Sequence, residues 1–322
     1  MSAVTISISE PPEQELDVLG DTLAAMRFRG TSLYRSEMVA PWGVKTPCQS
    51  EMRGHFSGGD PNSRVVMFHV VVEGEVVMGD DDGEEVVVRT GDIVIFAGGH
   101  RHEVRQGNPT APIPVEGMAP TPGATVTFGE GPPTAVMMCG LFILRDTELN
   151  PLLDALPDML VLKHDSRSAA LYEMLVTEFA TPGAGRNALL DRAAEMLFIL
   201  AVRDVANVAD RAPWFRAIED PHVGRAIRLI HADPAADWSV EKLASAAGVS
   251  RSGLAARFRA TLGLSPGKYL TRWRMNLATR LLNDRSLGLA EVAQQVGYTS
   301  EFAFSRTFKR HLGMAPSLWR KR

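Results

Sequence analysis

Apolar and polar positions follow two different rhythms along this chain of 322 residues. The stretches RVVMFHVVVEGEVVMG and EEVVVRTGDIVIFAGG are nearly continuous in Val and Ile and are separated by Asp81-Asp82-Gly83. Such runs, bounded by turn residues, predict a β-hairpin and then another strand after Thr90-Gly91-Asp92. A further apolar strand is expected over AVMMCGLFIL, residues 135–144. Ahead of these, residues 16–28 read as helix-like and are followed by shorter extended pieces. Residues 106–134 carry seven prolines and a string of glycines, a density that predicts a long loop. After Asn150 the apolar residues recur at three- and four-residue steps, which predicts helices over 166–180 and 187–210. The second of these carries a stripe of Leu189, Leu190, Ala193, Met196, Leu197, Leu200 and Ala201. The stripe fits packing within the chain and a dimer seam equally well, because amphipathicity alone does not name its partner.

The last third of the chain contains a repeat. Leu243, Ala244 and Gly248 recur 49 positions later as Val292, Ala293 and Gly297, whereas Phe258, Leu262, Gly263 and Pro266 recur 50 positions later as Phe308, Leu312, Gly313 and Pro316. Each copy is an apolar helix, a turn at Gly, an amphipathic helix, and Gly and Pro as stop signals. This is the outline of a helix-turn-helix, whose second helix enters a DNA major groove. With Leu254 and Phe258 facing inward, Ser252, Ala255, Ala256 and Arg259 face outward, and Arg251, Arg257 and Arg259 are candidate phosphate contacts. With Phe304 and Phe308 inward, the candidates in the second copy are Glu301, Phe302, Ser305, Arg306 and Lys309. Arg306 is suited to bidentate hydrogen bonds with guanine, and Ala256 occupies its place in the first copy. Ser265-Pro266 opens a bridging helix whose Arg272, Arg274 and Arg280 are further candidates for phosphate.

Charge sharpens this division. Residues 221–322 hold 17 Lys/Arg and 6 Asp/Glu, a net +11, whereas residues 1–220 hold 17 and 32, a net −15. A basic domain that coincides with the repeat is the electrostatic footprint of a polyanion binder. Only Cys48 and Cys139 occur, which disfavours a disulfide framework and fits a reducing cytoplasm. The N-terminus lacks the layout of a signal peptide, and no apolar run of about 18 residues suggests a membrane span.

The stretches LASAAGVSRSGLAARFRATLGLSPGKYLTRWRMNLATRLL and VAQQVGYTSEFAFSRTFKRHLGMAPSLWR resemble the DNA-binding domain of the AraC/XylS transcription regulators. The resemblance implies two helix-turn-helix units on a bridging helix, with double-stranded DNA and RNA polymerase as partners. Ala256 departs from the Arg often found at its place. In the N-terminal half, His69 and Glu73 resemble the second His and the Glu of the first cupin motif, and Gly91, Gly99 and His102 resemble the second motif. Met67, Ala97 and Gln106 stand where that pattern has His, Pro and Asn.

The expected fold class is therefore α+β multidomain. It comprises a cupin-like β-barrel over residues 1–150, a helical linker and dimerisation region over 151–214, and an all-α domain with two helix-turn-helix units over 215–322. Barrels of this kind enclose cavities for small molecules. His69, His102 and Cys139 are the candidate effector-binding residues. As imidazoles and a thiol they are also candidate ligands for a bound metal, zinc or copper being the best match. The ordinary alternative is a hydrogen-bonded histidine pair beside a buried thiol. His100 is placed to substitute for His102, His55 falls in a Gly-rich loop, and Cys48 in a loop. The leading expectation is a homodimeric, sequence-specific transcription regulator that senses a small molecule or chemical stress. A cupin-type metalloenzyme, a dioxygenase or isomerase with a DNA-binding tail, is the competing one.

Overall fold

The computed structural model describes residues 17–57, 63–98, 100–109, 113–114, 122–145, 149–150, 152–181, 183–206 and 213–321. The expectations for Gly99, for residues 1–16 and for the end of the linker at 207–212 lie outside the described residues.

Helix α1 (Val18–Ala24) is capped by Asp17, whose side chain accepts from the Gly20 N–H at 2.8 Å. The helix-like stretch stops there, because β1 (Arg27–Met38) begins at Arg27. Next come β2 (Trp42–Lys45), α2 (Gln49–Phe56), β3 (Ser63–Glu73), β4 (Glu75–Asp80), β5 (Glu85–Arg89), β6 (Ile93–Phe96) and β7 (His102–Gln106). Then follow β8 (Ile113–Pro114), β9 (Thr125–Phe128), β10 (Ala135–Arg145) and β11 (Met159–Leu162). Two sheets form, ordered β11-β6-β3-β10-β1-β9 and β5-β4-β7-β2-β8.

The first Val-rich run is two strands in different sheets. It breaks at Gly74, whose φ of +92° and close approach to the Thr134 carbonyl exclude a side chain. The turn at Asp81-Asp82-Gly83 joins β4 to β5 as expected. The Pro/Gly-rich stretch is not wholly loop: β8 pairs with β2 and β9 with β1, both in parallel.

The burial pattern explains why β3, β6 and β10 read as unbroken apolar runs. One face of their sheet carries Val71, Val94, Phe96, Met137 and Cys139 toward the second sheet and Met67 toward α2. The other carries Val66, Phe68, Val70, Ile95, Met138 and Phe142 toward helices. A strand covered on both faces has no polar side to display.

Those helices are α1, α3 (Ala169–Ala180) and α4 (Arg186–Ala206). Of the α4 stripe, Leu190, Ala193, Leu197 and Ala201 are buried in the chain's own core, Leu200 is half-buried, and only Leu189 and Met196 are exposed. The stripe is thus mainly internal packing. The core continues through α5 (Pro213–Glu219) into α6 (Val223–Ala232), α7 (Val240–Ala246) and α8 (Arg251–Leu262), the first helix-turn-helix unit. The bridging helix α9 (Pro266–Leu281) leads to α10 (Leu289–Gln295), α11 (Glu301–Leu312) and α12 (Pro316–Trp319). This second unit has a separate core built on Val292, Phe304, Phe308 and Leu312, with Met275 and Ala278 from α9.

Candidate nucleic-acid interface and barrel cavity

Both units build their turn in the same way. Gly248 and Gly297 take φ of +72° and +78°, and the next residue's N–H reaches back to a helix carbonyl: Val249 to Ala244 at 3.0 Å, Tyr298 to Ala293 at 2.8 Å. Ser250 and Ser300 then cap α8 and α11, accepting from Gly253 and Ala303 N–H groups. The turn of the second unit holds one residue more, which is the slip in the repeat.

Packing fixes which face of each helix is free. Leu254, Phe258, Phe304 and Phe308 are fully buried. Arg251, Ser252, Ala256, Arg257 and Arg259 are exposed on α8, as are Glu301, Phe302, Arg306 and Lys309 on α11, with Ala255 and Ser305 half-buried beside them. Two of the expected phosphate contacts have internal partners. Arg251 pairs with Glu241 at 2.8 Å on the surface. Arg257 pairs with Asp220 at 3.2 Å, the carboxylate that also accepts from the N–H groups of His222 and Val223. Arg257 therefore ties α8 to the start of α6.

The bridging helix also differs from expectation. Arg272 pairs with Asp154, in the connection between β10 and β11, at 3.0 Å. Arg274 is half-buried and donates to the carbonyls of Pro234 at 2.7 Å and Ala236 at 2.8 Å. Its guanidinium lies over the Tyr298 ring and against Gly297, where a Cβ would sit 2.5 Å from Nη2. Arg274 thus clamps the chain before α7 to the turn of the second unit, rather than reaching out to phosphate. Trp273 is core, stacked on His231 with ring centroids 3.8 Å apart.

In the barrel, β3, β10 and β7 bring His69, Cys139 and His102 together. His69 Nδ1 lies 3.2 Å from Cys139 Sγ, and His69 Nε2 lies 2.9 Å from His102 Nε2. The arrangement is a row, with His69 in the middle offering one ring nitrogen to each neighbour. A metal needs one atom from each ligand aimed at a common point, and the described residues contain no such His, Cys, Asp and Glu cluster. As placed, the trio forms the hydrogen-bonded histidine pair beside a buried thiol that is the ordinary alternative to a metal site. Glu73, the other motif residue, is exposed at the end of β3.

The hydrogen bonds to Thr46 favour one order of protons along the row. Thr46 Oγ1 accepts from the His102 N–H at 3.1 Å and donates to the His102 carbonyl at 3.0 Å. With its proton used, it accepts from His102 Nδ1–H at 2.8 Å. His102 Nε2 is then an acceptor, His69 Nε2–H donates to it, and the Cys139 S–H donates to His69 Nδ1. Burial favours these neutral forms. It lowers His69 to about 4 and raises Cys139 to about 12, while burial and the neighbouring His69 hold His102 well below the ordinary range. Phe96 stacks on His102 at 3.6 Å and locks its plane.

His69 and Cys139 face an internal cavity with about 30 Å³ of room, enough for roughly two waters. Trp42, Val126, Phe128 and Met137 line its apolar side, and Tyr34, Ser36 and Thr46 are polar lining residues missed in the sequence. Tyr34 and Ser36 fall on β1, where no motif marks them. His100 is exposed and bonded to Asp158, away from this row. Residue 55 lies on α2, not in a loop, and Cys48 precedes that helix, its N–H donating to Glu51 at 2.8 Å.

Residues 17–207 match the family described as Cupin, and residues 243–322 match the helix-turn-helix domain. An AraC-like transcription regulator of Streptomyces lividans is 36% identical over 80% of this chain and 87% of its own length. The HTH-type transcriptional regulator AlkR of Acinetobacter baylyi is 29% identical over 86% of this chain and 93% of its own. Among solved structures, ToxT of Vibrio cholerae covers 91% of this chain and 97% of its own at 12% identity, with a TM-score of 0.34. A two-unit helix-turn-helix domain behind a double-sheet barrel defines a DNA-binding transcription regulator with a ligand-binding head. The chain belongs to the AraC family of transcription regulators and carries an N-terminal cupin domain. No helix among the described residues is long and apolar enough to cross a membrane.

Proposed function

We propose that this regulator reads a bipartite operator with α8 and α11, and that its cupin cavity receives the signal. The observation that supports the reading is the shared outward face of the two helices, each over an inward Leu/Phe or Phe/Phe pair. The faces differ in chemistry. Arg306 supplies the strong base reader of the second unit, and Arg259 and Lys309 serve as phosphate contacts. Ser252, Ala255 and Ala256 give the first unit a small surface suited to thymine methyls and groove shape. In this reading residues 1–150 sense together with β11, the helices of 151–214 link and dimerise, and 215–322 bind DNA. Because Trp214 is only 1% exposed within the core of the first unit, an isolated DNA-binding fragment needs to start no later than Pro213.

Binding by the full chain is expected to weaken steeply with salt, with a log–log slope of about −5 for about six phosphates neutralised. Arg306→Ala should cost ~5- to 150-fold on a duplex recovered by in vitro selection, as one bidentate pair is worth ~1–3 kcal/mol. The loss on random duplex should be several-fold smaller. Fluorescence anisotropy on the two duplexes measures both, and equal losses would reduce Arg306 to a phosphate contact.

The effector class that suits the cavity is a small, mainly apolar molecule with one hydrogen-bonding group, met by Tyr34, Ser36, His69 or Cys139. RNA polymerase is the proposed partner at the promoter. A homodimer is the proposed assembly, through Met174, Leu189 and Met196. These are 37%, 49% and 50% exposed on α3 and α4, and Leu197 at 1% is not available for a seam. The double variant Leu189→Glu, Met196→Glu should give a folded monomer in sedimentation. An unchanged dimer mass would move the seam elsewhere.

A further inference from the structure

Phe302 is 76% exposed, more than any other large hydrophobic among the described residues. The fold has no use for an aromatic ring there. Ser300 already caps α11, and Phe304 and Phe308 already fill the core beneath it. The equivalent position in the first unit is Ser252, also exposed, so the same scaffold accepts a small polar residue. An isolated exposed apolar residue would ordinarily call for no explanation. This one occupies the second position of a reading helix, and reading helices place their N-terminal residues against base edges.

Its surroundings select the occupant. Arg306 and Lys309 follow on the same exposed side of α11, with Arg310 beyond them, and the domain as a whole carries net +11. That face suits a polyanion better than an apolar groove or a second copy of the chain. Glu301, next to Phe302, would repel a phosphate, which places the first turn over bases rather than against the backbone. The apolar feature a base pair presents in the major groove is the C5-methyl group of thymine.

Resting on the operator-reading role proposed above, we infer that Phe302 covers a thymine methyl and gives the second unit a preference for thymine at that step. Deoxyuridine tests this directly, because it pairs like thymidine and lacks only that methyl. Duplexes recovered by in vitro selection with the full-length chain are remade with each thymine in turn replaced by uracil. Burying one methyl is worth about fourfold in affinity. The wild type should lose about that factor at one or two thymines, all within the half-site bound by the second unit. Phe302→Ser, which gives the second unit the residue that the first unit has at Ser252, should bind the thymine duplex more weakly and the uracil duplex unchanged. The ring is exposed, so the variant should retain the wild-type melting temperature.

Sequence-specific binding that is indifferent to every thymine-to-uracil change would overturn the inference while leaving the operator-reading role intact. Equal sensitivity to uracil in wild type and Phe302→Ser would assign the methyl to another residue. Unchanged DNA affinity of Phe302→Ser with lost activation of transcription in vitro would assign the ring to RNA polymerase instead. Absence of any sequence-specific binding would overturn both this inference and the reading beneath it.

Discussion

Gly297→Ala is expected to destabilise the DNA-reading half by about 3 kcal/mol or more, and Gly248→Ala, at the matching turn of the other unit, by only about 1–2 kcal/mol. Both glycines sit in the left-handed region, so both variants carry the backbone cost of a Cβ there. They differ in what the new methyl meets. At Gly248 nothing lies within 4 Å, whereas at Gly297 the methyl would fall 2.5 Å from Arg274 Nη2, 2.7 Å from its Cζ and 2.9 Å from the Ala235 carbonyl. Arg274 would have to leave, and with it the bonds to Pro234 and Ala236 and the stack on Tyr298. Hydrogen bonds to a charged group are worth about 1.5–3 kcal/mol, which makes the second term at least as large as the first. The two reading helices would also lose their fixed separation, so Gly297→Ala should weaken a bipartite duplex more than Gly248→Ala does. Urea unfolding of the two variants side by side decides the matter. Equal losses would mean that the clamp contributes nothing beyond backbone strain.

The unequal seating of the two units bears on how a signal travels. The first unit shares one continuous core with α5, the linker helices and the outer face of the barrel sheet. The second unit meets the rest of the chain through α9, the Arg274 clamp, Leu149 in its core, and the Asp154–Arg272 pair. Both units thus touch the barrel domain, the first through a continuous core and the second through the β10–β11 connection. Coupling of this kind needs a ligand that prefers one arrangement over another.

The DNA-reading half was legible in the sequence because its constraints are local. A turn at Gly, a Ser cap and an inward Leu/Phe or Phe/Phe pair fall within about 20 residues, and the repeat states them twice. What escaped was long-range pairing. Arg257, Arg272 and Arg274 read as phosphate contacts because their partners Asp220, Asp154 and Pro234 are far away in sequence. The barrel was legible as apolar strands, but not the division of its first run at Gly74 between two sheets. Neither Val nor Ile marks the sheet to which a strand belongs. His69, His102 and Cys139 were correctly brought to one place by motif and strand position. Whether they would converge or line up depended on ring orientation, which hydrogen bonds to Thr46 settle and no sequence pattern carries.

That row is expected to make the barrel acid-sensitive, with the sign set by burial. His69 titrates near 4 in the folded chain and near 6.5 when unfolded. Between those values the unfolded state binds the extra proton, so stability is fully present above about pH 6.5 and is lost as pH falls toward 4. The loss attributable to His69 is about 3 kcal/mol, and His102, depressed for the same reason, adds to it in the same direction. His231, held down to about 3 by burial in the DNA-binding half, contributes likewise but apart from the barrel. Carboxylates held below their usual range, such as Asp92, Asp165 and Asp220, act lower, where they begin to protonate. His69→Gln isolates the effect. Its amide N–H can donate to His102 Nε2 and its carbonyl can accept from Cys139, so the neutral row is kept while its titratable centre is removed. The expected result is similar stability at pH 7 and a shallower loss between pH 6.5 and 4.5, by about one proton in the slope. Urea midpoints followed across that range, with hydrogen exchange on β3 and β7 to localise the change, provide the measurement. Identical slopes in wild type and His69→Gln would show that the histidine row does not control barrel stability.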